Sequence, residues 1–331
     1  MNKGFWGKLN KPFFVLAPMA DVTDSAFRQI ISKYSKPDVF FTEFVACDGL
    51  CSVGRKNLMV NLEFTKKERP IVAQLFGANP DNFFKSAQLV KELGFDGVDI
   101  NMGCPERNIV KQGAGSALIR TPKLAQEIIK ATKEGAGDLP ISVKTRIGFN
   151  QEIIEDWLPI LLETDPALIT IHGRTRKEMS KVPNHWDVIK RGVEIAKGSG
   201  VMIVGNGDIQ NIEEAEEKAK ETGVDGVMLG RAVFGNPWLF NKNFDFPKIS
   251  VEEKLNVALE HTELFEKMYV DNEKNREIFG GRAKNFAIMK KHYKAYVNGF
   301  SGAKELRIKL MEAEGYEEVK KAVEEFDTKT M

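Results

Sequence analysis

Between about residue 13 and residue 235 the chain repeats one pattern, a short β-rich run followed by an amphipathic helical stretch. The runs are Phe13–Ala17, Asp38–Glu43, Ile71–Leu75, Gly97–Asn101, Ile141–Lys144, Leu168–His172, Val201–Gly205 and Gly226–Leu229. Helical patterns lie between them at Asn82–Leu93, Lys123–Lys133 and Ile212–Lys220, the last with Asn211 followed three residues on by Glu214 as a start signal. Strand and helix in alternation are the signature of a parallel sheet. Eight such strands predict closure into a (β/α)8 TIM barrel, because an open sheet of that size is less usual. From Val251 onward only helical patterns occur, at Glu253–Val270, Ala283–Val297, Lys304–Met311 and Tyr316–Phe326. The predicted organisation is therefore a catalytic barrel over 1–240, a linker over 241–250 and a small all-α C-terminal domain over 251–331. The total of 331 residues suits a barrel of about 250 with a second, smaller unit.

Composition is ordinary for a globular chain, with 42% hydrophobic and 29% charged residues, and argues against wholesale disorder. The net charge of +1 is silent on nucleic acid, since binding depends on where charge is placed. Residues 1–11 contain no apolar h-region, and no apolar run is long enough to span a bilayer, so neither a signal peptide nor a membrane segment is expected. Three cysteines, Cys47, Cys51 and Cys104, fit a reducing cytoplasm better than a disulfide framework. Cys47 and Cys51 lack two further ligands nearby and read as structural, so no metal site is expected.

Barrel enzymes work at the C-terminal ends of their strands. Here those ends are polar. The first meets Pro18-Met19-Ala20, the second Glu43 and the third Gln74. The fourth runs Asp99-Ile100-Asn101 into Met102-Gly103-Cys104-Pro105, and the fifth carries Lys144 and Arg146. The sixth ends at His172 before Gly173-Arg174-Thr175-Arg176, the seventh meets Asn206-Gly207-Asp208, and the eighth Gly230-Arg231. Barrels often hold a phosphate with the last two loops. Gly207 and Gly230 would let backbone N–H groups approach an anion, and Arg231 adds a charged fork. Lys144, late in an apolar strand, is either a rim lysine or one facing an anionic partner. His172 is either a core histidine or a ligand contact, its place beside Arg174 favouring the second. Cys104, in a loop on the catalytic rim, can exchange a proton there.

Seven segments together resemble the tRNA-dihydrouridine synthases. They are 17–24 (APMADVTD), 99–105 (DINMGCP), 113–118 (GAGSAL), 143–148 (VKTRIG), 172–176 (HGRTR), 206–209 (NGDI) and Gly230-Arg231-Ala232 followed by Gly235-Asn236-Pro237-Trp238. The resemblance runs in order from about residue 13 to 240, and the helical tail is similar to that family's RNA-binding domain. It implies an FMN enzyme that reduces a uridine of tRNA, with NADPH as the usual reductant. By position, Pro18, Met19, Ala20, Gln74, Lys144, Asn206, Gly207, Asp208, Gly230 and Arg231 would hold FMN. Asn101 and His172 would line the same pocket, and Cys104 would donate the proton to C5 after hydride reaches C6. Two departures stand out: Asp21 where the family commonly has Gly, and the stretch 177–186 (KEMSKVPNHW) where the family often has Gly and Ala-Asp-Trp.

RNA contacts are expected from two basic surfaces. The loops after strands four to six carry Arg107, Lys111, Arg120, Arg146, Arg174, Arg176, Lys177 and Lys181 against only Glu106 and Glu178. In the tail no acid occurs from Ile278 to Lys304. Lys284, Lys290, Lys291 and Lys294 there fall in an arc of about 120° beside an apolar stripe, with Arg282 close by. Arg174, Arg176, Arg282 and the four lysines are the expected RNA-binding residues. Two rival readings remain: a small-molecule FMN oxidoreductase of the dihydroorotate or dihydropyrimidine dehydrogenase type, and an RNA-binding protein that keeps the barrel without turnover.

Overall fold

The structure, a computed structural model, describes residues 2–242, 249–273, 277–278 and 281–330, with side chains to 326. Among the described residues nine strands occur: β1 (Phe13–Leu16), β2 (Phe40–Phe41), β3 (Val45–Ala46), β4 (Ile71–Phe76), β5 (Gly97–Met102), β6 (Ile141–Arg146), β7 (Leu168–His172), β8 (Met202–Asn206) and β9 (Gly226–Leu229). They form one sheet in the order β1-β9-β8-β7-β6-β5-β4-β2, with β3 also on β4. Every pairing is parallel. The sheet closes where Val15 bridges Val39, just ahead of β2, and Leu16 N–H donates to the Val39 carbonyl at 3.1 Å.

β2 and β3 are two halves of one barrel stave. Phe40 lies opposite Ile71 and Ala46 opposite Phe76. The interruption falls at Thr42, whose hydroxyl donates to the Glu43 carbonyl at 2.7 Å and accepts from Gln74 N–H at 3.1 Å. The run predicted over Asp38–Glu43 is thus shorter than expected, and β3 was not foreseen. The predicted (β/α)8 barrel is the observed architecture.

Side chains alternate across each strand, and the two faces differ. Outward positions such as Val98, Ile100, Val143, Ile169 and Ile171 are fully buried and apolar. Inward positions near the strand starts are also apolar: Phe13, Val15, Val72, Leu168 and Met202 pack with Trp6 in one cluster. Further along β4 to β7 the inward face turns polar, through Gln74, Asp99, Ser142, Lys144, Thr170 and His172. One end of the barrel is therefore a plugged core and the other a polar chamber.

The intervening helices start and stop where local chemistry dictates. Asn79 caps the helix Pro80–Glu92 by accepting from Asp81 and Asn82 N–H. Asn211 caps Ile212–Thr222 by accepting from Glu214 N–H, and Gly223 ends it at φ 75°. The Glu214 carboxylate reaches back one residue further than a capping box requires, to Gln210 N–H at 2.8 Å.

The chain forms two compact units, Met1–Met19 with Pro37–Arg231 and Ala20–Lys36 with Ala232–Met331. The second unit contains the helices Ser25–Tyr34, Val251–Phe265, Met289–Tyr296, Ala303–Glu312 and Tyr316–Thr330. In its core Phe27 stacks on His261 at 4.9 Å between ring centroids and meets His292 at 4.6 Å. Of the predicted linker Asn241–Ser250, residues 243–248 lie outside the described residues. Among the described residues no helix is long and apolar enough to cross a membrane.

The helix predicted over Ala283–Val297 starts late. Asn285 caps a single 3-10 turn, Phe286–Ile288, which leads into Met289–Tyr296. The expected placement of Lys284 beside the other lysines is therefore corrected. It precedes the helix, is buried, and holds its ammonium 5.4 Å from the centre of the Tyr269 ring. Arg282, Lys291 and Lys294 are exposed and Lys290 half-buried.

Candidate active site

The polar chamber opens into a cavity of about 340 Å³. Among its walls are Pro18, Met19, Lys144 and His172 from one arc, and Asn206, Gly207, Gly230 and Arg231 from the other. Eight residues expected around a flavin therefore meet at one place, drawn from the ends of β1, β6, β7, β8 and β9. Asp208 lines it as well. Ala20, Gln74, Asn101 and Cys104 are not on the wall, although Pro105 is.

Lys144 decides the electrostatics. Its ammonium donates to Asn206 Oδ1 at 3.0 Å, and Asn206 Nδ2 is held in turn by the Met228 carbonyl at 2.8 Å. Burial, and then the nearby charge of Arg146, lower the Lys144 pKa to about 8, against a smaller opposing pull from Asp99. At neutral pH it remains a cation in a place that disfavours one, and an anionic ligand would relieve that cost. Burial with the surrounding cations pushes His172 well below its ordinary value, so its imidazole is neutral.

Gln74 and Asn101 stand one layer behind. Ser142 Oγ donates to Asp99 Oδ1 at 2.6 Å and Gln74 Nε2 to Asp99 Oδ2 at 2.7 Å. Asn101 Nδ2 donates to Gln74 Oε1 at 3.0 Å, while Asn101 Oδ1 accepts from Gly103 and Cys104 N–H at 3.1 and 2.9 Å. The two amides thus fix the cysteine loop from beneath. Asp99 is fully buried, which raises its pKa to about 6 despite both donors. A carboxylate in the middle of the apolar run Val98-Asp99-Ile100 was the available sequence signal for this support.

Burial also raises the Cys104 thiol above its ordinary value, more than its backbone hydrogen bond, Arg146 and Lys144 lower it. It is a protonated thiol at neutral pH. Arg146 itself holds the loop, donating from Nε to the Gly103 carbonyl at 2.7 Å.

On the phosphate side Asp208 organises two arginines. It pairs with Arg174 and accepts from Arg231 at 2.5 Å. Its side chain is thereby occupied, and it acts on a ligand by holding Arg231. Arg174 is only 3% exposed and also donates to the Val182 carbonyl at 2.6 Å. Expected among the RNA contacts, it is here a buried side chain that lines the chamber. Gly207 sits at φ 131°, and a Cβ there would collide with the Asn184 side chain. At Gly230 a Cβ would meet nothing closer than Ala17 at 3.5 Å, so it would simply fill cavity space.

Comparison with known proteins decides the family. Residues 15–330 match the dihydrouridine synthase (Dus) family. A probable tRNA-dihydrouridine synthase of Staphylococcus aureus is 40% identical over 332 residues, covering 99% of this chain and 97% of that protein. A probable tRNA-dihydrouridine synthase 2 of Bacillus subtilis is 41% identical over 336 residues, covering 99% and 98%. This chain belongs to the dihydrouridine synthase family. Among solved structures, histamine dehydrogenase from Rhizobium sp. 4-9 superposes with a TM-score of 0.53 at 14% identity, over 76% of this chain and 48% of that one. An old yellow enzyme homologue from Zymomonas mobilis gives 0.50 at 14%, over 73% and 90%. These two show the barrel fold and no more.

Both departures from the resembled dihydrouridine synthase pattern now have a structural account. Asp21 adopts φ 52°, a conformation that favours glycine, and its carboxylate lies 3.1 Å from Lys291 Nζ. The stretch 177–186 braces the phosphate side: Trp186 Nε1 donates to the Gly207 carbonyl at 3.2 Å and Asn184 N–H to Asp208 at 3.2 Å. It also presents Met179 and Ser180 to the cavity. Neither role was legible beforehand, because both depend on contacts with residues more than twenty positions away. Cys47 is buried and Cys51 half-buried, both as free thiols. Among the described residues no cluster of His, Cys, Asp and Glu could hold a metal ion.

Proposed function

We propose that this dihydrouridine synthase reduces the C5=C6 bond of a uridine in tRNA, with FMN in the chamber and NADPH as the reductant. The observation that carries the reading is Lys144, a half-buried cation without a carboxylate in hydrogen-bond contact, facing a cavity whose far side has Gly207, Gly230 and Arg231. These residues fit a flavin mononucleotide. Pro18 and Met19 offer apolar surface to a flat ring, Lys144 and neutral His172 suit its polar edge, and Arg231 suits a phosphate. The space that a Cβ at Gly230 would fill is what close approach of a ligand needs. When bound, the flavin supplies hydride to C6 of the uracil.

The protein's own residues do the rest. Lys144 keeps positive charge where negative charge develops. Asn101, set by Gln74 and Asp99, holds the Cys104 backbone in place. Cys104, kept protonated by burial, delivers a proton to C5. The base must leave its stack to reach this chamber. Free cysteines in the described chain agree with a cytoplasmic setting.

The test uses apoprotein, FMN and unmodified tRNA. FMN should bind noncovalently, and Arg231→Ala should weaken its retention. NADPH-reduced enzyme should be reoxidised by tRNA and not by free pyrimidines such as uracil or orotate, and dihydrouridine should then be found in the RNA. Protein that takes up no FMN, or is reoxidised by the small molecules instead, overturns the reading.

A further inference from the structure

We infer that Arg120, Phe149 and Arg176 form a clamp for the RNA phosphate backbone beside the chamber. The inference rests on the tRNA reading above and adds where the strand is gripped. Arg120 ends the 3-10 segment Gly115–Arg120, which is tied to the cysteine loop by Ser116 N–H donating to the Cys104 carbonyl at 3.0 Å. Phe149 lies in the loop after β6 and Arg176 in the loop after β7. The Arg120 guanidinium carbon is 4.2 Å from the centre of the Phe149 ring and that of Arg176 is 5.4 Å away. The loops after β5, β6 and β7 thus meet on one aromatic ring.

The arrangement is built in advance. Arg176 N–H donates to the Gly148 carbonyl at 3.0 Å and Lys177 N–H to the Phe149 carbonyl at 2.9 Å, which joins the second and third loops by their backbones. Gly148 is folded so tightly that a Cβ would collide with the Gln151 carbonyl. The ring is therefore placed by the main chain.

Two guanidiniums on one ring repel each other, and the ring repays only part of that cost. A purely structural cluster would include a carboxylate. Among the described residues, neither arginine has one within 4 Å. The Nε–H of Arg176 is shut off from solvent without an acceptor. The three acids of these loops are engaged elsewhere: Glu106 caps Asn108 and Ile109 N–H, Glu152 accepts from Ile154 N–H and pairs with Arg191, and Glu178 is held by Thr175 and His185. What the cluster lacks is an anion with several oxygens, and a guanidinium fork matches a phosphodiester in charge and geometry. The ring carries cations already, so the unfilled capacity is for phosphate oxygens and not for a stacked base.

The experiment measures binding of unmodified tRNA to FMN-loaded enzyme across a salt series. Arg120→Gln and Arg176→Gln should each weaken binding about five- to tenfold and flatten the log–log salt slope by about 0.7–0.9. Phe149→Leu keeps both charges, so it should weaken binding while the slope stays near the parent value. In tRNAs with single methylphosphonate linkages around the reduced uridine, one or two positions should make Arg176→Gln silent. Gln variants that keep FMN and match the parent in affinity and slope overturn the clamp, as does a loss that no neutral linkage removes. A parent enzyme that itself fails to bind tRNA overturns the functional reading first.

Discussion

The barrel chamber and the helical unit both bury ionisable side chains, and they treat them in opposite ways. In the chamber the charged groups have partners, Asp99 with Ser142 and Gln74, Lys144 with Asn206, and Arg174 with Asp208, while His172 is held neutral. In the helical unit His261 and His292 are fully buried, with ring centroids 4.5 Å apart, and neither nitrogen of His292 has a hydrogen-bond partner. Burial drives the His292 pKa to about 3 and that of His261 well below its ordinary value, so both rings are neutral aromatic packing. The chamber pays for charge so that a ligand can use it, whereas the helical core keeps its histidines only by leaving them uncharged. The first arrangement serves chemistry and the second serves stability.

Three variants test that contrast. The largest effect belongs to Cys104. Cys104→Ala should fold, bind FMN and accept electrons from NADPH nearly as the parent does, because losing one loop sulfur leaves no core cavity. Its anaerobic, single-turnover reoxidation by tRNA should slow by roughly 10²–10⁴, the usual worth of a positioned proton donor. Equal rates limited by chemistry would reduce Cys104 to a loop residue.

His292→Phe should show the reverse, with catalysis retained and acid stability changed. The unfolded histidine takes a proton below its ordinary value of 6.5, and the folded one only near 3. The neutral ring's contribution is therefore complete above pH 6.5 and is lost as pH falls towards 3. Urea unfolding of the parent should lose about 1.4 kcal/mol more per pH unit in that window than the variant. Parallel pH profiles would show that His292 is not neutral in the fold.

The smallest effect is expected at the lysines of the helix Met289–Tyr296. Reversing Lys290, Lys291 and Lys294 together should weaken tRNA binding about tenfold or more and flatten its salt dependence, with FMN content and NADPH oxidation unchanged. Lys291 should contribute least, since it already pairs with Asp21. Parent-like binding across the salt titration would make this face solvated surface only.

The barrel was legible because its strands are apolar runs with a polar residue at one end. Leu168–His172 and Gly226–Leu229 were placed to the residue. The second stave was not, because two two-residue strands around Thr42 carry too little pattern to separate from a loop. Lys144, His172, Asn206 and Arg231 could be expected at the site because strand ends converge in a barrel. Asn101 was expected in the pocket wall and lies behind it, since its amide is committed to Gln74 and to the Cys104 turn. The pairing of Arg174 with Asp208 and the late start of the helix after Lys284 depend on tertiary contacts and a local cap. Periodicity records neither.

The helix Ser25–Tyr34 has a consequence for how the chain is made. Phe27, Ile30 and Ile31 leave the ribosome early, yet the rings that cover Phe27, His261 and His292, are encoded more than two hundred residues later. At about 5–20 residues per second, that apolar face waits roughly ten to fifty seconds for its partners. During synthesis this first helix is the nascent chain's exposed sticky surface, and a chain terminated at residue 240 would never cover it.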